Sequence, residues 1–166
     1  MNNGFLKNYT SNVPVSETVH RIEKVLIKCG VLGITKEYGN TAGDIMAIRF
    51  HVKTEGPDLT IRLPVNKERC LDALWEDYVD GDKLSADGKS IQWSSRKKKR
   101  KSDFEEQAAR TAWKIVQDWV EVQMSMIQTR QAETVEVFLP YIYDGRETVF
   151  NRIKAGGYRA LLPEST

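Results

Sequence analysis

Histidine and cysteine are scarce in this chain of 166 residues: His20, His51, Cys29 and Cys70 are all there is of either. Neither histidine sits at metal-ligand spacing with a cysteine or a carboxylate, so no zinc centre is expected. Two isolated cysteines do not make a disulfide scaffold; they fit a reducing, cytoplasmic compartment and read as small buried apolar groups. Long apolar runs are absent as well, and nothing approaches the roughly 20 residues that span a bilayer. No apolar segment follows the opening Met-Asn-Asn-Gly-Phe-Leu-Lys, so a secretory leader is not expected.

Catalytic and cofactor motifs are equally wanting. No G-x-x-x-x-G-K-[ST], G-x-G-x-x-G or G-x-S-x-G occurs, and Gly39-Asn-Thr-Ala-Gly43 lacks the lysine of a phosphate loop. A magnesium-dependent nuclease would need a carboxylate–lysine pair on the strand after Asp58, and that strand reads Leu-Thr-Ile-Arg-Leu. The acidic residues Asp77, Asp80, Asp82 and Asp87 lack calcium-loop spacing and read as solvated turn carboxylates. The expectation is a protein without cofactor or metal that is not an enzyme.

What is present suits a folded domain. Of the residues 40% are apolar, with 4 Trp, 6 Tyr and 5 Phe, enough apolar area to oppose chain ordering. The length fits one domain, read as residues 15–166 behind an extended polar arm, 1–14, pinned by Phe5, Leu6 and Tyr9.

Periodicity predicts an α+β fold. A helix follows Pro14, with Ser16 as its N-cap and Val19, Ile22, Leu26 and Cys29 as its apolar stripe, and Gly30 ends it. Runs 34–38, 45–52 and 59–63 alternate like strands, and their two short connections favour an antiparallel meander. In the second strand Met46, Ile48, Phe50 and Val52 share the apolar face, opposite Ala47, Arg49 and His51. A short helix is predicted over 66–79, with Leu71, Leu74, Trp75 and Tyr78 inward. Residues 80–101 read as a long basic loop with room for a short strand at Ile91 and Trp93; loops of that length are usually functional or disordered.

The longest helix is predicted over 103–128, on stripes Phe104, Ala108, Ala112, Ile115, Trp119, Val122, Met126 and Trp113, Val116, Val120, Met124, Ile127. That arc is wider than one core needs, so this helix packs on the sheet and on C-terminal segments or on another subunit; a homo-oligomer through 103–128 is the partner this implies. Short helices follow near 132–139 and 148–155.

Charge is distributed unevenly. Residues 67–101 hold 10 basic and 7 acidic side chains, whereas residues 102–166 hold 7 and 10. Most of the positive excess is one run, Arg96, Lys97, Lys98, Lys99, Arg100 and Lys101, with Trp93 just before it. Such a run attracts polyphosphate backbones by releasing condensed counterions, and an aromatic residue beside it can stack on a base. Arg49 and Arg62, with His51, stand on strand positions opposite the apolar set and extend the candidate surface. A solvated linker and a nuclear-localisation signal share this composition and stay open as alternatives.

Three stretches carry a resemblance: Pro14-Val-Ser-Glu-Thr-Val, residues 107–123 from Gln-Ala-Ala-Arg-Thr-Ala-Trp, and residues 137–149, Val-Phe-Leu-Pro-Tyr-Ile-Tyr-Asp-Gly-Arg-Glu-Thr-Val. In that order they resemble an uncharacterised family of small phage, prophage and mobile-element proteins. The resemblance implies a role in phage DNA metabolism or in inhibiting host defence, and it carries over no catalytic residues. In topology alone the predicted order is similar to Rad52-like single-strand annealing proteins. The function expected is a phage-type accessory protein, in the host cytoplasm, that binds nucleic acid, single-stranded by preference. The alternative is an oligomeric interaction or sequestration protein directed at a host system.

Overall fold

Alternating polarity over three short runs gives one sheet. The computed structural model describes residues 7–86 and 98–162, without the side chains of 81–86. Strands β1 (Gly33–Tyr38), β2 (Ile45–Val52) and β3 (Leu59–Arg62) form an antiparallel meander in the order β1-β2-β3, as the short connections require. Helix α1 (Val15–Lys28) precedes the sheet; α2 (Lys67–Ala86), α3 (Glu105–Gln128), α4 (Thr134–Phe138) and α5 (Val149–Ala155) follow it. The fold is α+β. Contacts divide the chain into two compact units, Met1–Val19 with Val65–Asp118, and His20–Pro64 with Trp119–Thr166.

In the first unit α3 buries Ala108, Thr111, Ala112, Trp113, Val116 and Gln117, and α2 buries Leu74. The N-terminal segment is tied to α3 by polar contacts. Gln107 donates to the carbonyls of Tyr9 (2.6 Å) and Ser11 (3.2 Å), and Asn8 donates to Asp118 at 2.9 Å. Residues 7–10 form a turn, with Asn8 at φ 64°, a conformation asparagine tolerates better than most residues. Phe5 and Leu6, expected to pin the arm, lie outside the described residues.

In the second unit the core is Ile22, Leu26, Ile48, Phe50, Ile61, Leu63, Val120, Met124 and Phe138. Phe138 is its hub: it meets Phe50 edge-on at 5.4 Å and Trp119 edge-on at 5.6 Å, and Trp119 meets Tyr141 at 5.3 Å. Edge-to-face pairs add about 0.5–1.5 kcal/mol each beyond area burial. The C-terminal segment therefore covers Trp119, which accounts for part of the wide apolar arc read in α3. Val122 remains exposed at 57%.

Several expectations need correction. Helix α1 starts at Val15, and the Pro14 carbonyl accepts the Thr18 N–H at 3.1 Å; Ser16 thus lies in the first turn and is not the N-cap. Met46 is 42% exposed while Ala47 is fully buried. The register shifts between Glu37 and Tyr38, beside Met46, and β2 as the central strand is covered on both faces at Ala47. Helix α2 runs to Ala86, seven residues past the predicted end, so the turn-forming residues 80–86 are helical and not part of a loop. Of its four predicted inward residues only Leu74 is buried; Leu71, Trp75 and Tyr78 are half-buried. Cys29 and Cys70 are half-buried free thiols, and burial raises the pKa of each. The predicted strand at Ile91 and Trp93, and Asp87, lie outside the described residues.

Glycine matters at two boundaries. Gly30 ends α1 at φ +78° and Gly43 closes the β1–β2 hairpin at φ +79°, both in the left-handed region that a Cβ disfavours.

Candidate nucleic-acid interface

Helix α2 begins where Asn66 caps it, its side-chain oxygen accepting the Arg69 N–H at 2.9 Å. Spacing of three along the helix then brings Trp75 and Tyr78 to one flank. Their rings stack with centroids 5.6 Å apart and planes inclined 30°, and both meet Phe104, at 6.2 and 5.2 Å. This aromatic cluster is where the basic run enters the described structure.

Lys98, Lys99, Arg100 and Lys101 are all exposed. The Tyr78 hydroxyl accepts the Lys99 backbone N–H at 3.2 Å, and the Lys99 ammonium stands 5.3 Å from the Phe104 ring centroid. One residue on, the Arg100 N–H donates to the Asp103 carboxylate at 2.8 Å and the Asp103 N–H returns to the Arg100 carbonyl at 2.9 Å. That reciprocal pair starts a 3₁₀ turn, Lys101–Phe104, leading into α3. The Lys101 ammonium pairs with Asp72 of α2, with both side chains about half exposed (47% and 56%). A pair so exposed contributes about 0–1 kcal/mol, so a phosphate can displace the carboxylate at little cost. Lys99 and Arg100 are thus held through their backbone, with the side chains of Lys98–Lys101 exposed. Trp93, Arg96 and Lys97 lie outside the described residues.

The other predicted cations belong to the sheet, in the second unit. Arg49 and Arg62 stand directly opposite each other on β2 and β3. Like charges in that register repel, and Glu37 of β1 resolves the conflict. Its two oxygens lie 2.7 Å from Arg49 Nε and 3.3 Å from Arg62. The Tyr143 ring caps both guanidinium groups at 5.6 and 6.0 Å, and the Tyr143 backbone N–H donates to the Thr60 carbonyl at 2.8 Å. His51 Nδ1 shares a 3.0 Å hydrogen bond with the Thr60 hydroxyl. The structure brings Arg49 and Arg62 together, but onto a shared carboxylate that offsets half of their charge.

Sequence reasoning overlooked Tyr78, Phe104 and Asp72 as partners of the basic run, and Glu37 and Tyr143 as partners of the arginines. For Glu37 a signal existed. In a meander its strand position falls beside Ala47 and Arg49, on the face opposite Ile34 and Lys36. No such signal pointed to Tyr143, which reaches the sheet edge from 81 residues beyond Arg62.

Among the described residues no group of three or more His, Cys, Asp and Glu could hold a metal ion, and no helix is long and apolar enough to cross a membrane. No family model, curated protein or solved structure matches the chain.

Proposed function

We propose that the protein binds nucleic acid through the basic run ending at Lys101, without catalysing a reaction on it. The observation that carries this reading is the way Lys98–Lys101 are held. The backbone is tied to Tyr78 and Asp103 while the side chains stay exposed, an arrangement suited to a phosphate backbone. Arg49 and Arg62 have a weaker claim, since Glu37 already satisfies them. The aromatic cluster beside the run favours unpaired strands, whose bases are free to stack. A phage-type accessory role rests on the three sequence stretches alone.

The test is fluorescence anisotropy with labelled single- and double-stranded DNA and RNA across roughly 50–300 mM salt, where counterion release is measurable. Affinity should fall steeply with salt, and alanine at Lys97, Lys98 and Lys99 should flatten that slope. Salt-independent binding, or an unchanged slope in the variant, would overturn the proposal.

A second reading, an oligomeric interaction protein, draws on apolar exposure in the second unit. Leu139 (50%), Phe150 (45%), Leu161 (65%) and Leu162 (70%) are open to solvent, as is Val122 on α3. Light scattering coupled to size exclusion decides it: a salt-insensitive oligomer that ignores DNA and RNA favours this reading, and a monomer removes it.

A further inference from the structure

The sheet's two edges are finished differently. Beyond β3 the returning C-terminal segment covers the edge: Ile142 bridges to Ile61, and the Tyr143 backbone N–H donates to the Thr60 carbonyl at 2.8 Å. β1 is the other edge strand, and among the described residues none hydrogen-bonds to the outer side of its backbone.

The ladder fixes which groups stand on that open side. The Ile48 carbonyl accepts the Leu63 N–H at 3.0 Å, so Ile48 and Phe50 turn their backbone groups toward β3. Ala47, Arg49 and His51 alternate with them and turn theirs toward β1, where the His51 carbonyl accepts the Leu32 N–H at 2.8 Å. Their register partners Glu37, Thr35 and Gly33 therefore face inward. Ile34 and Lys36 are left with N–H and C=O pointing outward.

Proteins blunt such an edge with a free lysine, a proline or a bulge. β1 contains no proline, and the Lys36 ammonium is drawn to Glu23 of α1 at 2.9 Å. The extra residue of the register shift is Met46, on β2, so β1 itself stays regular. Leu32, which leads into the strand, and Tyr38, which ends it, are 55% and 58% exposed.

A second copy of the chain fits this edge. When β1 pairs with itself about Thr35, the outward groups of Ile34 meet those of the second copy's Lys36. Thr35 faces its own counterpart, a favourable cross-strand pair. The same register sets exposed Leu32 opposite exposed Tyr38 at both ends. It also places Lys36 and Glu37 opposite Ile34 and Gly33, so no charge faces its like. We infer that β1 pairs antiparallel with β1 of a second copy, about a two-fold axis at Thr35, and continues the sheet across a dimer. The inference does not rest on nucleic-acid binding.

Sedimentation velocity on the full chain, at low and at high micromolar concentration, tests it without nucleic acid present. One strand pair is a small contact, so a monomer–dimer equilibrium in the micromolar range is expected. Lys36→Pro removes an outward N–H and spares the ladder to β2; it should raise the dissociation constant about tenfold. Lys36→Ala keeps that N–H and should dimerise as before. Amide exchange at Ile34 and Lys36 should slow as concentration rises. Leu32→Glu and Tyr38→Lys, both at exposed positions, test the register independently of proline. Each alone should weaken self-association, and the two mixed should prefer the heterodimer. A chain that stays monomeric at high micromolar concentration overturns the inference, as does a dimer unaffected by Lys36→Pro. A dimer lost in Val122→Glu and kept in Lys36→Pro puts the interface on α3 and overturns it equally.

Discussion

The Tyr78 hydroxyl accepts the Lys99 backbone N–H at 3.2 Å across 21 residues of sequence. That bond positions a segment whose charge would otherwise keep it in solvent. It makes a short list of side chains responsible for where the cations stand. Tyr78→Phe keeps the ring in its stack and removes only the acceptor. The expected outcome is faster hydrogen exchange at the Lys99 amide and a stability loss of about 0.5–1.5 kcal/mol, one ordinary hydrogen bond. Unchanged exchange at Lys99 would show that the run is held by other means.

Asp72 pairs with Lys101, so on the proposed function a bound phosphate would have to displace it. Asp72→Asn removes that competition, so nucleic-acid affinity should rise a few-fold at low salt. The salt dependence should also steepen by up to about 0.7–0.9, the contribution of one further phosphate contact. Anisotropy titrations at three salt concentrations would measure both, and a weaker-binding variant would contradict the expected role.

Glu37 keeps two directly opposed arginines apart in energy terms. Glu37→Gln leaves Arg49 and Arg62 facing each other with one carboxylate fewer, on side chains still about one-third exposed. Thermal stability should fall, by more in low salt than in high, since screening relieves repulsion between partly exposed charges. A loss independent of salt would point to packing as the cause.

Phe138 is fully buried and touches both Phe50 and Trp119. Phe138→Ala removes the shared ring and leaves a cavity that neighbouring rings cannot fill. The expected cost is about 3–5 kcal/mol, read by chemical denaturation. A cost below about 1 kcal/mol would mean that the site collapses around the gap.

Asp118 holds the N-terminal segment in a pH-dependent way. Burial acts to raise its pKa, but donation from Asn8, then from Lys114 and Lys7, outweighs this and leaves it lowered. A carboxyl lowered on folding contributes stability above its unfolded pKa, and that contribution is lost as pH falls through the folded value. The loss therefore falls below about pH 4, the ordinary aspartate range. The Asn8 side-chain amide resonances should move together in that acidic range in an NMR titration. Asp118→Asn should give the released position already at neutral pH and remove the transition.

The elements were legible because their signals are local. Alternation in 45–52, turn residues at Gly39–Gly43 and Glu55–Asp58, and the repeat of three and four in α3 depend on neighbours a few residues away. Backbone sterics and solvent exposure therefore write them directly into the order of residues. The basic run was legible for the same reason. Where those signals were misread, at 80–86 and at Met46, context competed with them: helix continuation prevailed over turn composition, and central-strand coverage over simple alternation. The partners were not legible, because they come from distant positions. Glu37, Arg49, Arg62 and Tyr143 meet through strand register and a returning C-terminal segment, and Tyr78 meets Lys99 from 21 residues away. The order of residues set which charges and rings this protein carries. Tertiary packing set which of those charges are already answered by a carboxylate and which still face solvent, and the candidate interface turns on that difference.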